Sequence, residues 1–298
     1  MTLKEYKNLF SKTLSGKYPQ TEIDTFFFYL MEAYLDFQRI DLVLRPNFEL
    51  STKVIIEFKR AFEALTKEIP IQYILGETEF YGYPFIVNRH TLIPRPETEE
   101  LVAWILDSVA KNTKIQIMDI GTGTGCIPIT LAKNLPKANL FAIDISREAL
   151  KIATKNAQQH EVKIQFIEKN ILEITNLPQK FDIIVSNPPY VRKLEKIEIK
   201  KNVLEYEPHI ALFVEDDNPL LFYDKIADLS KEHLTKNGLL FFEINQYLGT
   251  ETVEMLHKKG FKNIELRKDI FGKDRMIQCT FNEVDSKIQS LGNTSENV

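Results

Sequence analysis

The chain has 298 residues, and its length predicts about two domains. With 44% hydrophobic and 27% charged residues, the composition excludes a disordered chain, a collagen and a disulfide-stabilised mini-protein. The net charge of -4 argues against a protein that grips nucleic acid mainly by neutralising phosphates, although it is compatible with a local basic groove.

Residues 1–68 carry two apolar stripes at helical spacing, which predict a small helical bundle domain. Thr21 and Asp24 resemble a capping box at the start of the first stripe, and Ser51 is placed to cap the second. The stripes consist of Ile23, Phe26, Phe27, Leu30 and Tyr34, and of Val54, Ile55, Phe58, Phe62 and Leu65. Aromatic residues in this pattern favour a helical core over a groove for a partner.

The pattern changes at residue 69, where we place the start of a second domain that covers residues 69–282. Residues 79–87 predict two short strands around a turn at its beginning. Pro96 suits the first turn of a following helix. Residues 283–298 are polar and predict a frayed tail.

From residue 114 onward, apolar strand-like runs alternate with helical segments. The predicted strands are 115–120, 140–145, 164–167, 181–185 and 239–244, with helices such as 146–159 and 220–234 between them. This alternation is typical of an open parallel α/β sheet. Two last runs, 263–268 and 275–281, predict an antiparallel hairpin at the end of the domain.

Cysteine, histidine and hydropathy patterns exclude further classes of protein. Cys126 and Cys279 are expected to be buried thiols in a reducing cytosol rather than one disulfide. The five histidines are scattered without ligand spacing, so we predict no metal site. No apolar run approaches the roughly 20 residues of a membrane span, and no signal or transit peptide is evident, so we expect a cytoplasmic protein.

A glycine loop follows the first strand of this sheet and opens a helix, with the sequence Asp-Ile-Gly-Thr-Gly-Thr-Gly at Asp119–Gly125. Glycines let the backbone turn sharply and approach a ligand, and a helix N-terminus offers free N–H groups to an anion. A dinucleotide fingerprint would need glycine at position 126, which is Cys126, and no Gly-Lys-Ser/Thr follows as in a Walker loop.

A second acid, Asp144, ends the next strand and could accept both hydroxyls of a ribose. Together with the loop it predicts a nucleoside cofactor without phosphates, such as S-adenosylmethionine, with Asp119 acting through its neighbours on the ammonium end. The predicted cofactor contacts so far are Asp119, Gly121, Thr122, Gly123, Thr124, Gly125 and Asp144. The alternative is that both acids merely cap strand ends.

The tetrapeptide Asn187-Pro188-Pro189-Tyr190 follows the fourth strand, at the edge of a parallel sheet where ligands bind. Its prolines stiffen the loop, which leaves the Asn187 side-chain oxygen and the Pro188 carbonyl as acceptors for one NH₂ group. Tyr190 supplies a flat face for a planar group. These features predict transfer of a methyl group to an amide or amino nitrogen, and a simple proline-stiffened turn is the alternative.

This combination resembles the amino-group S-adenosylmethionine methyltransferases, and more of the chain is similar to the PrmC/HemK family, which methylates a glutamine amide in peptide chain release factors. The similar segments are 70–76, 80–82, 92–99, 119–125, 187–190 and 206–208. Ile-Pro-Arg-Pro-Glu-Thr-Glu at 93–99 is highly specific, whereas the glycine loop is widespread. The helical region in front is similar in architecture more than in motif.

The resemblance implies a Rossmann-like S-adenosylmethionine methyltransferase domain behind the helical domain, which would bind the release factor. It implies that Asn187 also contacts the cofactor and that Asn187 to Tyr190 hold the target glutamine as the catalytic and substrate-binding residues. Asn170 and Ile171 fall where the family places its adenine contacts, although the family often has an acid and an aromatic residue there.

Three functions therefore stand as hypotheses. The first is methylation of the glutamine in the Gly-Gly-Gln motif of class I release factors, by a monomer that contacts neither membrane nor nucleic acid. The second is a DNA or RNA amino-group methyltransferase, which would need a basic groove and base flipping. The third is a non-catalytic cofactor-binding partner of the translation machinery.

Overall fold

A computed structural model of the protein describes residues 1–281, so residue 282 and the predicted tail at 283–298 lie outside the described residues. The helices are α1 (Leu3–Leu14), α2 (Gln20–Leu35), α3 (Asp41–Leu44), α4 (Thr52–Thr66), α5 (Ile71–Leu75), α6 (Pro96–Asp107), α7 (Cys126–Asn134), α8 (Arg147–Gln159), α9 (Lys201–Tyr206), α10 (Leu221–His233) and α11 (Gly249–Lys258). The strands are β1 (Glu77–Phe80), β2 (Tyr83–Ile86), β3 (Gln116–Ile120), β4 (Asn139–Asp144), β5 (Ile164–Glu168), β6 (Phe181–Ser186), β7 (Val191–Arg192), β8 (Phe213–Val214), β9 (Leu234–Glu243), β10 (Lys262–Lys268) and β11 (Asp274–Thr280). Two short 3₁₀ helices, Lys193–Glu198 and His209–Ala211, follow β7 and α9.

The chain forms two compact units, and the first comprises Met1–Thr78, Val87–Arg89 and Ile199–Glu207. Its core is rich in aromatic rings from α1, α2 and α4. The ring centroids of Phe27 and Phe58, for example, lie 5.8 Å apart in an edge-to-face arrangement that aromatic pairs favour. The two predicted stripes therefore form a helical core, although the placement of the domain boundary after residue 68 stays a prediction.

Helix caps in this unit follow local sequence, with one exception. The Ser51 hydroxyl accepts a hydrogen bond from the Val54 N–H at 3.3 Å, as predicted. The predicted capping box at Thr21 is wrong, because α2 begins at Gln20 and no side chain caps it. The capping box of this unit lies instead at Thr2 and Glu5, where each side chain bonds the other's backbone N–H.

Among the described residues, the second unit comprises Glu79–Ile86, His90–Glu198 and residues 208–281, and it contains a seven-stranded sheet. The strand order is β10-β11-β9-β6-β3-β4-β5. The five strands from β9 to β5 are parallel, and β11 pairs antiparallel with both β9 and β10. This confirms the predicted parallel sheet with a terminal antiparallel hairpin. Consecutive residues of β3 enter different hydrophobic clusters: Ile117 belongs to one and Met118 to the other.

One strand is longer than its sequence pattern predicts. The last parallel strand, β9, starts at Leu234 rather than at residue 239. Its first five residues include exposed Lys236 and Asn237, which break the apolar run, yet Leu234 pairs with Phe181 of β6. Pairing with a neighbouring strand, rather than hydrophobicity, decides where this strand begins.

A buried amide ties the β2 strand to the glycine loop within the second unit. The Asn156 side chain on α8 is fully buried and donates to the carbonyls of Ile86, at 3.1 Å, and Thr124, at 2.9 Å. Its side-chain oxygen accepts a 2.7 Å hydrogen bond from the Ile86 N–H. The three bonds satisfy backbone groups of half-buried Ile86 and buried Thr124.

Replacing Asn156 with alanine is expected to lower the free energy of unfolding by about 2 kcal/mol, because it removes the partner of these shielded backbone groups. Urea denaturation of the variant measures the change. Asn139→Ala, at an exposed position, serves as the matched control. Equal free energies of unfolding for the two variants would show that other partners replace the hydrogen bonds of Asn156.

Candidate active site

A cavity of about 260 Å³ opens at the carboxyl ends of the parallel strands. The chain runs outward from β3 to β4 and β5, and then crosses to β6 on the other side of β3. Such a switch point leaves a crevice where open α/β sheets bind ligands. The cavity is lined by His90, Thr91, Leu92, Ile120, Gly121, Gly123, Ile143, Asp144, Ile145, Ser146, Ala149, Lys169, Asn170, Ile171, Leu172, Ser186, Asn187, Pro188, Pro189, Pro208, Ile210, Ala211, Phe222 and Ile226.

The glycine loop forms one wall through backbone conformations that other residues rarely adopt. Gly121, Gly123 and Gly125 all have positive φ angles. A Cβ atom at Gly125 would lie 3.1 Å from the Ile129 side chain and 3.2 Å from Ala153, so the third glycine serves close packing. Gly121 and Gly123 face the cavity instead and leave room for a ligand.

The Asp144 carboxylate both anchors this loop and faces the cavity. It accepts hydrogen bonds from the Gly123 N–H at 2.9 Å and from the Ser146 N–H at 2.8 Å. Burial raises the pKa of Asp144, while these backbone donors oppose the change. Each oxygen retains acceptor capacity, so the side chain can still bind hydroxyl groups of a ligand.

Asp119 lies beneath the loop, fully buried at the end of β3. Within residues 1–281, neither of its carboxylate oxygens has a hydrogen-bond partner, and the nearby Thr122 hydroxyl has none either. Burial, together with the charge of Asp144, raises the pKa of Asp119 to about 7. A buried carboxylate without partners is costly, and it suits a ligand that brings a positive charge or hydrogen-bond donors.

This burial predicts a pH-dependent effect of Asp119→Asn on the cofactor-free protein. In the folded protein the Asp119 carboxyl stays protonated up to about pH 7, whereas in the unfolded protein, with a pKa of 3.8, it loses its proton at a lower pH. Ionisation therefore destabilises the fold increasingly as the pH rises between these values. We expect Asp119→Asn to raise the free energy of unfolding by about 1–3 kcal/mol at about pH 8, and by less at about pH 5.

Urea denaturation at both pH values checks this expectation. Asp107→Asn, at an exposed position of α6, is the control and should show no such pH dependence. An equal increase in the free energy of unfolding of Asp119→Asn at the two pH values would contradict an effect of Asp119 ionisation.

The Asn187–Tyr190 loop forms the opposite wall. Asn187, Pro188 and Pro189 line the main cavity. Tyr190 lines a second pocket of about 50 Å³, together with Asn187, Pro188, Leu92, Arg95, Val191, Ala211, Leu212 and Glu243. Asn187 and Pro188 thus stand where the two pockets meet, which suits residues that contact two ligands at once.

Buried polar groups hold this loop in place. The Asn187 side-chain nitrogen donates to the Thr98 hydroxyl at 3.2 Å, and Thr98 donates to Glu243 at 2.6 Å. The Tyr190 hydroxyl donates to the other Glu243 oxygen at 3.0 Å, and Asn245 donates to the Tyr190 carbonyl at 2.9 Å. Burial raises the pKa of Glu243, and burial together with the Glu243 charge raises the pKa of Tyr190.

Comparison with known proteins shows where this chain belongs. A relative from Flavobacterium psychrophilum named release factor glutamine methyltransferase is 56% identical over 284 residues, covering 94% of this chain and 100% of the relative. The chain belongs to the PrmC/HemK family. A Bacteroides thetaiotaomicron relative of the same name is 41% identical over 268 residues, covering 89% of this chain and 95% of the relative.

Family models divide this PrmC/HemK chain into two parts. The PrmC N-terminal domain matches residues 7–76, and the methyltransferase small domain matches residues 100–209. The crystal structure of a methyltransferase from Pyrococcus furiosus is 15% identical, with a TM-score of 0.50 over 68% of this chain and 91% of that one. It shows the same fold. The chain is therefore a methyltransferase with the predicted Rossmann-like sheet.

The structure brings most predicted site residues of this PrmC/HemK member to one cavity. Those lining it are Gly121, Gly123, Asp144, Asn170, Ile171, Asn187, Pro188 and Pro189. Thr122, Thr124 and Gly125 do not line it, since they are buried within the loop, and Asp119 lies below them. Which of these residues contact the cofactor or the substrate stays a prediction.

Sequence reasoning missed three further parts of this surface. His90 and Thr91 line the cavity without any motif that marks them as binding residues, and Leu92 lines it at the start of the family-similar segment. Thr98 falls inside the family-specific segment, and Glu243 ends a parallel strand, so position alone could have drawn attention to both. Two absences apply to residues 1–281: no helix is long and apolar enough to cross a membrane, and no group of three or more His, Cys, Asp or Glu could hold a metal ion.

Proposed function

We propose that this chain transfers a methyl group from S-adenosylmethionine to the side-chain amide nitrogen of the glutamine in the Gly-Gly-Gln motif of class I release factors. The observation that carries the proposal is the position of Asn187, which lines both pockets while its amide nitrogen is bound to Thr98. That arrangement leaves the Asn187 side-chain oxygen to accept a hydrogen bond from a target NH₂ group.

The larger pocket is the proposed cofactor site. The N–H groups of the glycine loop would bind the cofactor carboxylate and Asp144 its ribose hydroxyls, while Asp119 would act on its ammonium end through neighbouring residues. The Asp119 oxygens, which have no hydrogen-bond partner in the part of the chain that the structure describes, support this fit. Asn170 and Ile171 line the same cavity and would contact the adenine. When bound, S-adenosylmethionine supplies an electrophilic methyl group on a positively charged sulfur.

The smaller pocket is the proposed site of the glutamine amide. An amide nitrogen is a weak nucleophile because its lone pair is delocalised into the carbonyl group. Asn187 and the Pro188 carbonyl would accept both of its hydrogens, which raises electron density on nitrogen and directs the lone pair. Orientation of bound reactants supplies up to about 7–11 kcal/mol of a barrier reduction. The chain needs no strong general base, since the amide proton becomes acidic as the N–C bond forms.

The choice of substrate follows the relatives, which are named for release factor glutamine methylation. In this proposal the helical N-terminal domain, which matches the family's N-terminal model, binds the release factor. The protein acts as a monomer and contacts no nucleic acid. The even spread of charge fits recognition of a protein by shape, since neither domain is basic: residues 1–80 hold 10 basic and 12 acidic residues.

Mass spectrometry of a release factor after incubation with this protein and S-adenosylmethionine tests the proposal. We expect a mass gain of one methyl group on the Gly-Gly-Gln glutamine. A release factor with glutamate at that position is the control and should gain nothing. DNA and RNA serve as alternative acceptors in parallel. Methylation of nucleic acid alone would favour an amino-group nucleic-acid methyltransferase, and no methylation of any acceptor would favour a non-catalytic role.

A further inference from the structure

We propose that Glu243 is a positioning residue that acts through Thr98 to set the direction of the Asn187 amide, so that its oxygen faces the target. This inference rests on the proposed function, since it explains how one acceptor of the target NH₂ group is held. It assigns roles to two residues that lie far from Asn187 in sequence, on α6 and at the end of β9.

The three side chains form a short hydrogen-bonded chain that runs from half-buried Asn187 to buried Thr98 and Glu243. Thr98 and Glu243 are 3% and 1% exposed, so water does not compete for their hydrogen bonds. The Thr98 oxygen lies 2.6 Å from Glu243 Oε2, and the Asn187 side-chain nitrogen lies 3.2 Å from the Thr98 oxygen. The first distance is typical of a hydroxyl that donates to a carboxylate.

Donor and acceptor capacities allow one direction along this chain. A carboxylate can only accept, so the single Thr98 proton must point toward Glu243. The Thr98 oxygen can then only accept from Asn187, which must therefore present its NH₂ group to Thr98. The Asn187 oxygen is left on the opposite side of the amide plane. Without the bond to Thr98, the Asn187 side-chain amide could rotate by half a turn. It would then present its NH₂ group, a donor, to the NH₂ group of the target.

The same carboxylate also fixes the second side chain of the motif. Glu243 Oε1 accepts a hydrogen bond from the Tyr190 hydroxyl at 3.0 Å, while Oε2 accepts the bond from Thr98. Glu243 therefore holds Tyr190 directly and Asn187 through Thr98. Burial raises the pKa of Glu243, while the Thr98 hydroxyl, the positive charge of Arg275 and the Tyr190 hydroxyl oppose that change. Glu243 therefore positions both the acceptor and the aromatic face from the wall of the smaller pocket.

This arrangement also explains why the motif begins with asparagine rather than aspartate. An aspartate at 187 could not donate to Thr98, and the Thr98 hydroxyl would lie between two carboxylates with one proton to share. Asparagine supplies an acceptor toward the target and a donor toward Thr98, which the chain Asn187–Thr98–Glu243 requires.

The first experiment removes the hydroxyl that links the two residues. Thr98→Val is expected to lower kcat about 10- to 100-fold with the release factor as acceptor, while the Kd of S-adenosylmethionine changes less than about twofold. Thr98→Ser keeps the hydroxyl and should restore most of kcat. Thr130→Val is the matched control, because Thr130 is fully buried on α7 and its hydroxyl has no hydrogen-bond partner among the described residues.

The second experiment reverses the polarity of the chain. Asn187→Asp alone is expected to lose activity. Adding Glu243→Gln should raise kcat about tenfold or more above that of the Asn187→Asp variant. The introduced amide can donate to Thr98, and the Thr98 proton then turns toward position 187. The recovery must disappear when Thr98→Val is added. Recovery that persists without the hydroxyl would reflect simple relief of charge repulsion and would overturn the inference.

The outcomes separate this inference from the proposed function. If the wild-type protein methylates no release factor, the proposed function is wrong. If the wild type is active but Thr98→Val is as active as Thr130→Val, or Thr98→Ser is as impaired as Thr98→Val, then Glu243 does not act through Thr98.

Discussion

Replacing Asn187 with alanine is expected to lower kcat for methyl transfer by about 10²- to 10³-fold at saturating S-adenosylmethionine. The substitution removes one of two proposed acceptors of the target NH₂ group, and losing one preorganised polar group of this kind costs about 2.7–4 kcal/mol in other enzymes. The Pro188 carbonyl remains, because the backbone of the loop is stiffened by its two prolines. Residual activity above background is therefore expected.

Initial rates of methyl incorporation into a release factor measure the effect. Asn139→Ala, at the exposed start of β4 and the opposite end of the strand from the cavity, is the control and should keep full activity. A loss of only a few-fold in the Asn187 variant would mean that Asn187 does not orient the target. An equal loss in both variants would indicate a general effect on folding.

Replacing Asp144 with alanine is expected to weaken S-adenosylmethionine binding by about 100-fold. The variant loses the proposed ribose acceptor, and it also releases the Gly123 N–H, which Asp144 holds at 2.9 Å. Hydrogen bonds to a charged group contribute about 1.5–3 kcal/mol each, and about 1.4 kcal/mol corresponds to tenfold in Kd. Asp144 bonds the N–H groups of Gly123 and Ser146 rather than the proposed catalytic loop at Asn187–Tyr190, so kcat at saturation should change less than Kd.

Isothermal titration calorimetry with S-adenosylmethionine measures this change. Asp107→Ala, also an aspartate but exposed on α6, is the control and should bind as the wild type does. An unchanged Kd in the Asp144 variant would show that Asp144 does not bind the cofactor. It would favour the alternative from the sequence, in which Asp144 only caps the end of its strand.

Much of the fold follows from local sequence patterns. Apolar runs separated by helical segments predict the parallel strands, and the glycine loop starts where β3 ends, because its residues need positive φ angles that only glycine adopts freely. Asn187–Tyr190 could likewise be placed at the rim of the sheet. The carboxyl ends of parallel strands meet at one edge, so motifs distant in sequence converge there.

Other parts of the site carry no local signal. The start of β9 depends on pairing of Leu234 with Phe181, and the cavity wall at His90–Leu92 depends on where the chain runs after β2. A hydrophobicity pattern reports which residues avoid water. It does not report which strand lies alongside or which loop closes a cavity, because those depend on contacts between distant residues.

The sequence by itself therefore determined the class of fold and the places of the glycine loop and of the Asn187–Tyr190 tetrapeptide at the ends of their strands, because each depends on short-range backbone chemistry. Only the tertiary structure decided that Glu243 meets Thr98 and Tyr190, and that Asp119 is buried without partners within residues 1–281. The reason is physical: the direction of a hydrogen bond and the cost of a buried charge depend on neighbours that folding brings together.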